Sequence, residues 1–162
     1  MPIEYEGQIT EDIFIKSHRL AMLSKKLLFT SLFPILVILV LIIRRPHWSI
    51  GDIIITLAIA IPLTGSILYV LQNYFWRRIY RRSPYLKERL SGAITEEAFS
   101  VKSSSGMSNL PWNHFVKTKI GKNIVLLYKS PVLVNILPRE FFQTDDQWQE
   151  ALAIIQKKIP TK

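Results

Sequence analysis

Apolar residues along this chain are gathered into two long uncharged runs, Leu27 to Ile43 and Ile53 to Leu71, separated only by residues 44–52. Each run is close to the roughly 20 residues that cross a hydrocarbon core of about 30 Å at about 1.5 Å per residue. Met22 and Leu23 extend the shorter first run while Lys25 and Lys26 snorkel toward headgroups. The pattern predicts a transmembrane helical hairpin, with a pair of buried helices in a soluble core as the alternative.

Outside these runs the apolar spacing changes. Ile3, Tyr5, Gly7 and Ile9 alternate with Glu4, Glu6 and Gln8, which predicts a strand. Thr10 is placed to cap a helix that opens with Glu11 and Asp12, acids suited to the positive end of the helix dipole. That helix carries Ile13, Ile15, Leu20 and Leu23 among Lys16, His18 and Arg19, and is expected against the membrane surface or against the C-terminal domain.

After Ser83-Pro84 and a turn at Leu90-Ser91-Gly92, the chain reads as short strands. Ala98 to Lys102 alternates into a hairpin tip at Ser103 to Gly106, Phe115 to Ile120 ends at Gly121, Ile124 to Tyr128 is a continuous apolar run, and Ser130-Pro131 turns into Val132 to Leu137. Thr144 and Gln147 form a capping box ahead of a helix whose stripe is Trp148, Ala151, Leu152, Ile155 and Ile159. The expected fold is an α+β membrane protein: a two-helix hairpin and a small antiparallel β domain closed by a C-terminal helix.

Charge orients the hairpin. Lys16, Arg19, Lys25 and Lys26 precede the first run, and Arg77, Arg78, Arg81, Arg82, Lys87 and Arg89 follow the second, against only Arg44 and Arg45 between them. By the positive-inside rule both termini are cytoplasmic. The formal net charge of +9 thus belongs mainly to the membrane flanks rather than to a nucleic-acid-binding face. Arg77, Arg78, Arg81 and Arg82 fall in one sector of a continuing helix, so they are candidate contacts to anionic headgroups or to a partner, as well as a topology signal.

The search for chemistry is mostly negative. There are no cysteines, and His18, His47 and His114 lack ligand spacing to one another, so no metal site, cofactor or catalytic residue is expected. Glu96-Glu97 reads as a turn and Asp145-Asp146 as a helix first turn; Gly106 to Leu110 lacks the second glycine of a nucleophile elbow. Trp112, after Pro111, has two readings: an anchor for a ligand or interface, or a core tryptophan with its N–H bonded. With no ionisable side chain inside either apolar run, a proton relay has no chemical basis.

Gly92-Ala93-Ile94-Thr95-Glu96-Glu97-Ala98-Phe99, Leu110-Pro111-Trp112 with Phe115-Val116-Lys117, Asn123 to Tyr128, and Leu137-Pro138-Arg139 with Phe141-Phe142 resemble, in order and spacing, the C-terminal domain of the YcxB-like family of bacterial membrane proteins. The resemblance implies a pleckstrin-homology-like barrel and helix behind a two-helix hairpin, and it implies no established activity. The organisation expected is therefore an N-terminal strand and juxtamembrane helix over 1–26, the hairpin over 27–76 with spans 27–43 and 53–71, a basic linker over 77–91, and a cytoplasmic YcxB-like domain over 92–162. The expected role is a non-enzymatic interaction or regulatory module, multi-pass in a bacterial inner membrane, whose partner is a lipid headgroup, a protein or a second copy, and not nucleic acid. A toxin-immunity or inhibitor protein and a lipid-acting enzyme are the alternatives, and fold alone does not choose among them.

Overall fold

The N-terminal alternation forms a strand, and that strand is paired far from its neighbours in sequence. In the computed structural model, which describes residues 2–21 and 49–160, β1 (Ile3–Gln8) is antiparallel to β2 (Arg89–Ile94), from Ile3 opposite Ile94 to Gln8 opposite Arg89. β3 (Ala98–Ser103) and β4 (Gly106–Pro111) complete a four-stranded antiparallel sheet in the order β1-β2-β3-β4. A second antiparallel sheet consists of β5 (Lys117–Ile120), β6 (Ile124–Tyr128) and β7 (Val134–Pro138) in that order. Every residue of β6 is buried, as its uninterrupted apolar sequence requires of a strand covered on both faces.

Among the described residues three α-helices accompany the strands. α1 covers residues 11–21, and the Thr10 hydroxyl accepts from the Ile13 N–H at 3.3 Å. Ile13, Phe14, Ile15 and Ser17 are all buried, so α1 packs into the unit that holds the strands. α2 (Ile50–Arg82) is a 33-residue helix. α3 (Asp145–Lys158) opens with both hydrogen bonds of the expected capping box between Thr144 and Gln147. Its stripe of Trp148, Ala151 and Ile155, with Ile159 beyond its end, is buried. Ile154 is buried as well, while the expected Leu152 is only half-buried.

The chain divides into two compact units: residues 1–21 with 79–162, and residues 22–78. The first has an aromatic core. Tyr5 is stacked on Phe99 (centroids 5.6 Å apart, planes at 12°) and near-parallel to Phe141 at 6.3 Å, and Phe142 meets Trp148 at 5.4 Å. Among the described residues of the second, α2 is the one helix long and apolar enough to cross a membrane, with a mean hydropathy of 2.3 over its most apolar stretch, none of which is buried. The expected first span, 27–43, and residues 44–48 of the connecting loop lie outside the described residues.

Three local expectations differ from the structure. Leu90-Ser91-Gly92, expected as a turn, lies inside β2, because β1 supplies a partner that the local sequence does not reveal. Phe115 and Val116 precede β5 rather than beginning it, since a 3-10 turn at Trp112–His114 delays the strand. Val132 and Leu133 belong to the turn before β7, where the Ser130 hydroxyl accepts both of their N–H groups at 3.3 and 3.1 Å.

Candidate functional site

Sheet β1-β2-β3-β4 has two different faces, set by the period of two along each strand. Ile3 and Tyr5 point inward, with Ile94 and Phe99, and are buried. Glu4 and Glu6 point outward, and the register places them opposite Ala93 and Ser91 of β2, which in turn face Ser100 and Lys102 of β3. Lys102 faces Met107 of β4. The outer face is thus a floor of small side chains between charged walls.

A groove of ≈ 590 Å³ lies over this floor, lined by Glu4, Glu6, Arg89, Ser91, Ala93, Ser100, Lys102 and Met107 and extending to Glu140, Phe141, Phe142 and Gln143. Its charge is mixed and ordered. Arg89 and Lys102 are diagonal neighbours at the end of the sheet where Gln8 pairs with Arg89, while Glu4 sits a row further along. Arg89 Nε is 2.9 Å from Glu6 Oε1, in an exposed ion pair.

The floor is fixed by an unusual connection. Tyr5 Oη donates to the backbone carbonyl of Ser100 at 2.8 Å, reaching across β2. The Ser100 hydroxyl meanwhile bridges Ala93, accepting from its N–H at 2.9 Å and donating to its carbonyl at 3.0 Å. Gly92, opposite Tyr5, makes this possible: a Cβ there meets the Ser100 carbonyl oxygen at 2.0 Å and Tyr5 Oη at 2.7 Å. Burial pushes the Tyr5 phenol well above its ordinary pKa. The first strand is thereby tied to the third by a neutral hydroxyl.

The residues singled out in the sequence are in two places. Arg77, Arg78, Arg81 and Arg82 are all exposed on the last turns of α2, and Arg81 Nε donates to Glu11 Oε2 at 3.2 Å. Trp112 is 6% exposed, its Nε1–H donates to the Thr95 carbonyl at 3.0 Å, and its ring lies 6.0 Å from Phe115. Its side chain is therefore part of the core. Glu96 lies beside the α3 end, where hydrogen bonding to Lys158 lowers its pKa. Asp145 is lowered likewise by its hydrogen bond to Arg139, at 2.5 Å. Both acids make exposed ion pairs, Glu96 with Lys158 and Asp145 with Arg139. Among the described residues no group of three or more His, Asp or Glu is placed to hold a metal ion.

The groove was not legible as a site. Arg89 and Lys102 are 13 residues apart in the chain, and the acids across from them come from residues 4 and 6. The alternation of Glu4 and Glu6 signalled an outward face, but nothing local names its partner strand.

Comparison of the chain with curated proteins and with solved structures gives no match. Residues 94–155, from the last residue of β2 into α3, match the model of the YcxB-like protein family, and over that stretch the chain carries a YcxB-like domain.

Proposed function

We propose that this chain is a membrane-anchored, non-enzymatic interaction or regulatory module that holds its β unit at the cytoplasmic face of a bacterial inner membrane by a two-helix hairpin. The observation that carries the reading is the pairing of β1 with β2 across an excursion that contains α2. The chain leaves the β unit after residue 21 and returns to it at residue 79. A folded unit cannot lie on both sides of a bilayer, so if α2 crosses, residues 22–49 cross back. That segment contains Leu27 to Ile43 and exceeds the roughly 20 residues a crossing needs.

Further support comes from side-chain exposure and charge. Ile54, Ile55, Ile59, Leu63 and Val70 of α2 are exposed by 58 to 63%, which suits a lipid environment rather than water. The basic residues flanking the outer ends of the two runs favour the cytoplasm for both termini. Four strands, then three, then a closing helix is also the arrangement that a pleckstrin-homology-like barrel implies. In this reading the first strand of the barrel precedes the hairpin and the remaining six follow it. The partners are anionic headgroups, and with them a protein or a second copy.

The test is topology. Single cysteines introduced as Trp48→Cys and appended after Lys162 are expected to react with a membrane-impermeant maleimide from opposite sides, the second only after the cytoplasmic face is opened. Labelling of both from the same side rejects the hairpin.

A further inference from the structure

β4 is an outer edge of the four-stranded sheet, and it lacks the devices that ordinarily guard one. Edge strands are blunted by charged side chains, by internal proline or by a covering element. The opposite edge, β1, has two of these: Glu4 and Glu6 along it, and the Phe141 ring against Gly7. β2 and β3 carry Arg89 and Lys102, whereas β4 has no charged residue and none occurs from Ser103 to Asn113. Gly106, Met107, Ser108 and Asn109 are nevertheless all exposed, Met107 by 71%.

The hairpin between β2 and β3 sets which backbone groups of β4 point outward. The Thr95 N–H donates to the Ala98 carbonyl at 3.0 Å, so Ala98, Ser100 and Lys102 turn their backbone groups to β2, and Phe99, Val101 and Ser103 turn theirs to β4. Those last three stand opposite Leu110, Ser108 and Gly106. Met107 and Asn109 therefore direct their N–H and C=O groups away from β3, and among the described residues no strand lies beyond them.

We propose that β4 pairs antiparallel with β4 of a second copy of this chain, about a two-fold axis at Ser108, joining two four-stranded sheets into one of eight. A second copy is one of the partners allowed by the function proposed above, and the pairing requires nothing of α2. In this register Met107 of each copy stands opposite Asn109 of the other, and the two pairs exchange four N–H···O bonds. Centring the axis on Asn109 sets Met107 against Pro111, which has no N–H to return, and centring it on Met107 sets Asn109 against Ser105 in the turn. With Ser108 on the axis, half-buried Leu110 of one copy comes opposite Gly106 of the other, where an added Cβ has nothing within 4 Å. Lys102, the charge beside β4 in the sheet, is separated from its counterpart by both β4 strands, about 14 Å at the usual strand spacing and beyond the Debye length of about 8 Å. A strand without charge is thus suited to face itself, as an isologous contact requires.

Because the chain has no cysteine, one introduced thiol reads the register. Ser108 meets its own counterpart in a pair without hydrogen bonds, with Cα atoms about 4.5 Å apart, within reach of a disulfide. Full-length protein with Ser108→Cys, oxidised in membranes and again after purification in mild detergent, is expected to form a disulfide dimer much faster than protein with Val132→Cys, an 85% exposed position in the turn before β7. Asn109→Pro in the Ser108→Cys background removes an outward N–H and leaves the β3 ladder whole. It is expected to weaken dimerisation roughly thirtyfold, two bonds at about 1 kcal/mol each. Ser108→Lys sets lysine opposite lysine without touching the backbone, and is expected to give monomers by light scattering where the parent gives dimers. Near-ultraviolet circular dichroism checks the fold of each variant, and if Asn109→Pro loses it, Ser108→Lys decides alone.

Equal cross-linking at residues 108 and 132 overturns the pairing. So does a dimer that survives Asn109→Pro or Ser108→Lys with the fold intact, since the contact then lies elsewhere. A membrane adduct of the Ser108→Cys protein whose mass is not twice that of the chain assigns the edge to a strand of another protein and overturns the second copy. None of these outcomes moves the topology labelling described above, so the two proposals fail separately.

Discussion

α3 and α2 carry similar apolar side chains and treat them in opposite ways. In α3 the apolar residues share one face, where Trp148, Ala151, Ile154 and Ile155 are buried, and Glu150 and Lys157 are exposed. In α2, Ile54, Ile55, Ile59, Ile61, Leu63, Val70 and Leu71 occur around the helix and are exposed. A one-faced helix is stabilised by a protein core on one side and water on the other, whereas a helix apolar all round belongs to the core of a larger fold or to a membrane span. The difference teaches that the same residue types report burial in one unit and surroundings in the other.

The strongest way to sharpen this contrast is to delete a large apolar side chain from the helix that buries it. Trp148 is 3% exposed and meets Phe142, so Trp148→Ala is expected to cost about 3 to 5 kcal/mol. Thermal unfolding of the β unit, followed by near-ultraviolet circular dichroism of the full chain in detergent, reads the loss. A midpoint within about a degree of the parent is small against the roughly 4 to 8 °C expected per kcal/mol, and shows Trp148 outside the cooperative core.

The next perturbation is made in α2 and separates the two environments by the size of its effect. Leu63 is 58% exposed near the middle of the apolar run. In lipid, Leu63→Arg is expected to disfavour insertion by about 2.5 to 3.5 kcal/mol at the helix centre. On a water-facing helix the same change falls within about 0.5 kcal/mol. The measurement is the fraction of protein resistant to alkaline extraction from membranes. Undiminished retention of the arginine variant contradicts a lipid-facing position for Leu63.

These regions also differed in how far the sequence revealed them. Local signals gave α3 and its capping box, since Thr144, Gln147 and the apolar stripe lie within one short segment. They gave β6 for the same reason, and the stop of α2 ahead of Ser83 and Pro84. The alternation over Ile3 to Ile9 gave β1 but no partner, because strand pairing is a long-range choice and the partner lies beyond α2. β2 itself was hidden: Ser91 and Gly92 read as turn residues until Tyr5 is placed against Gly92, where the missing Cβ is the space the phenol needs. The groove inherits that obscurity, since its walls and floor come from strands that meet only in the folded unit.

The smallest predicted effect tests the tie between the early strand and the sheet that follows α2. Tyr5→Phe keeps the ring stacked on Phe99 and removes the hydroxyl that donates to Ser100. The expected cost is about 1 kcal/mol near neutral pH, typical of one hydrogen bond. An alkaline arm identifies the hydroxyl itself. Burial raises the Tyr5 pKa in the folded protein, so above the ordinary phenol value near 10 the unfolded chain loses a proton that the folded chain retains. The stability contribution is therefore fully present below about pH 10 and lost as pH rises above it, at up to about 1.4 kcal/mol per unit. Lysines titrate in the same range, so the diagnostic is the difference between parent and Tyr5→Phe. The gap measured in urea unfolding near neutral pH should narrow and then reverse between about pH 10 and 11. A gap that stays constant across that window shows that Tyr5 ionises as freely in the folded protein as in the unfolded one, and that β1 is held without this bond.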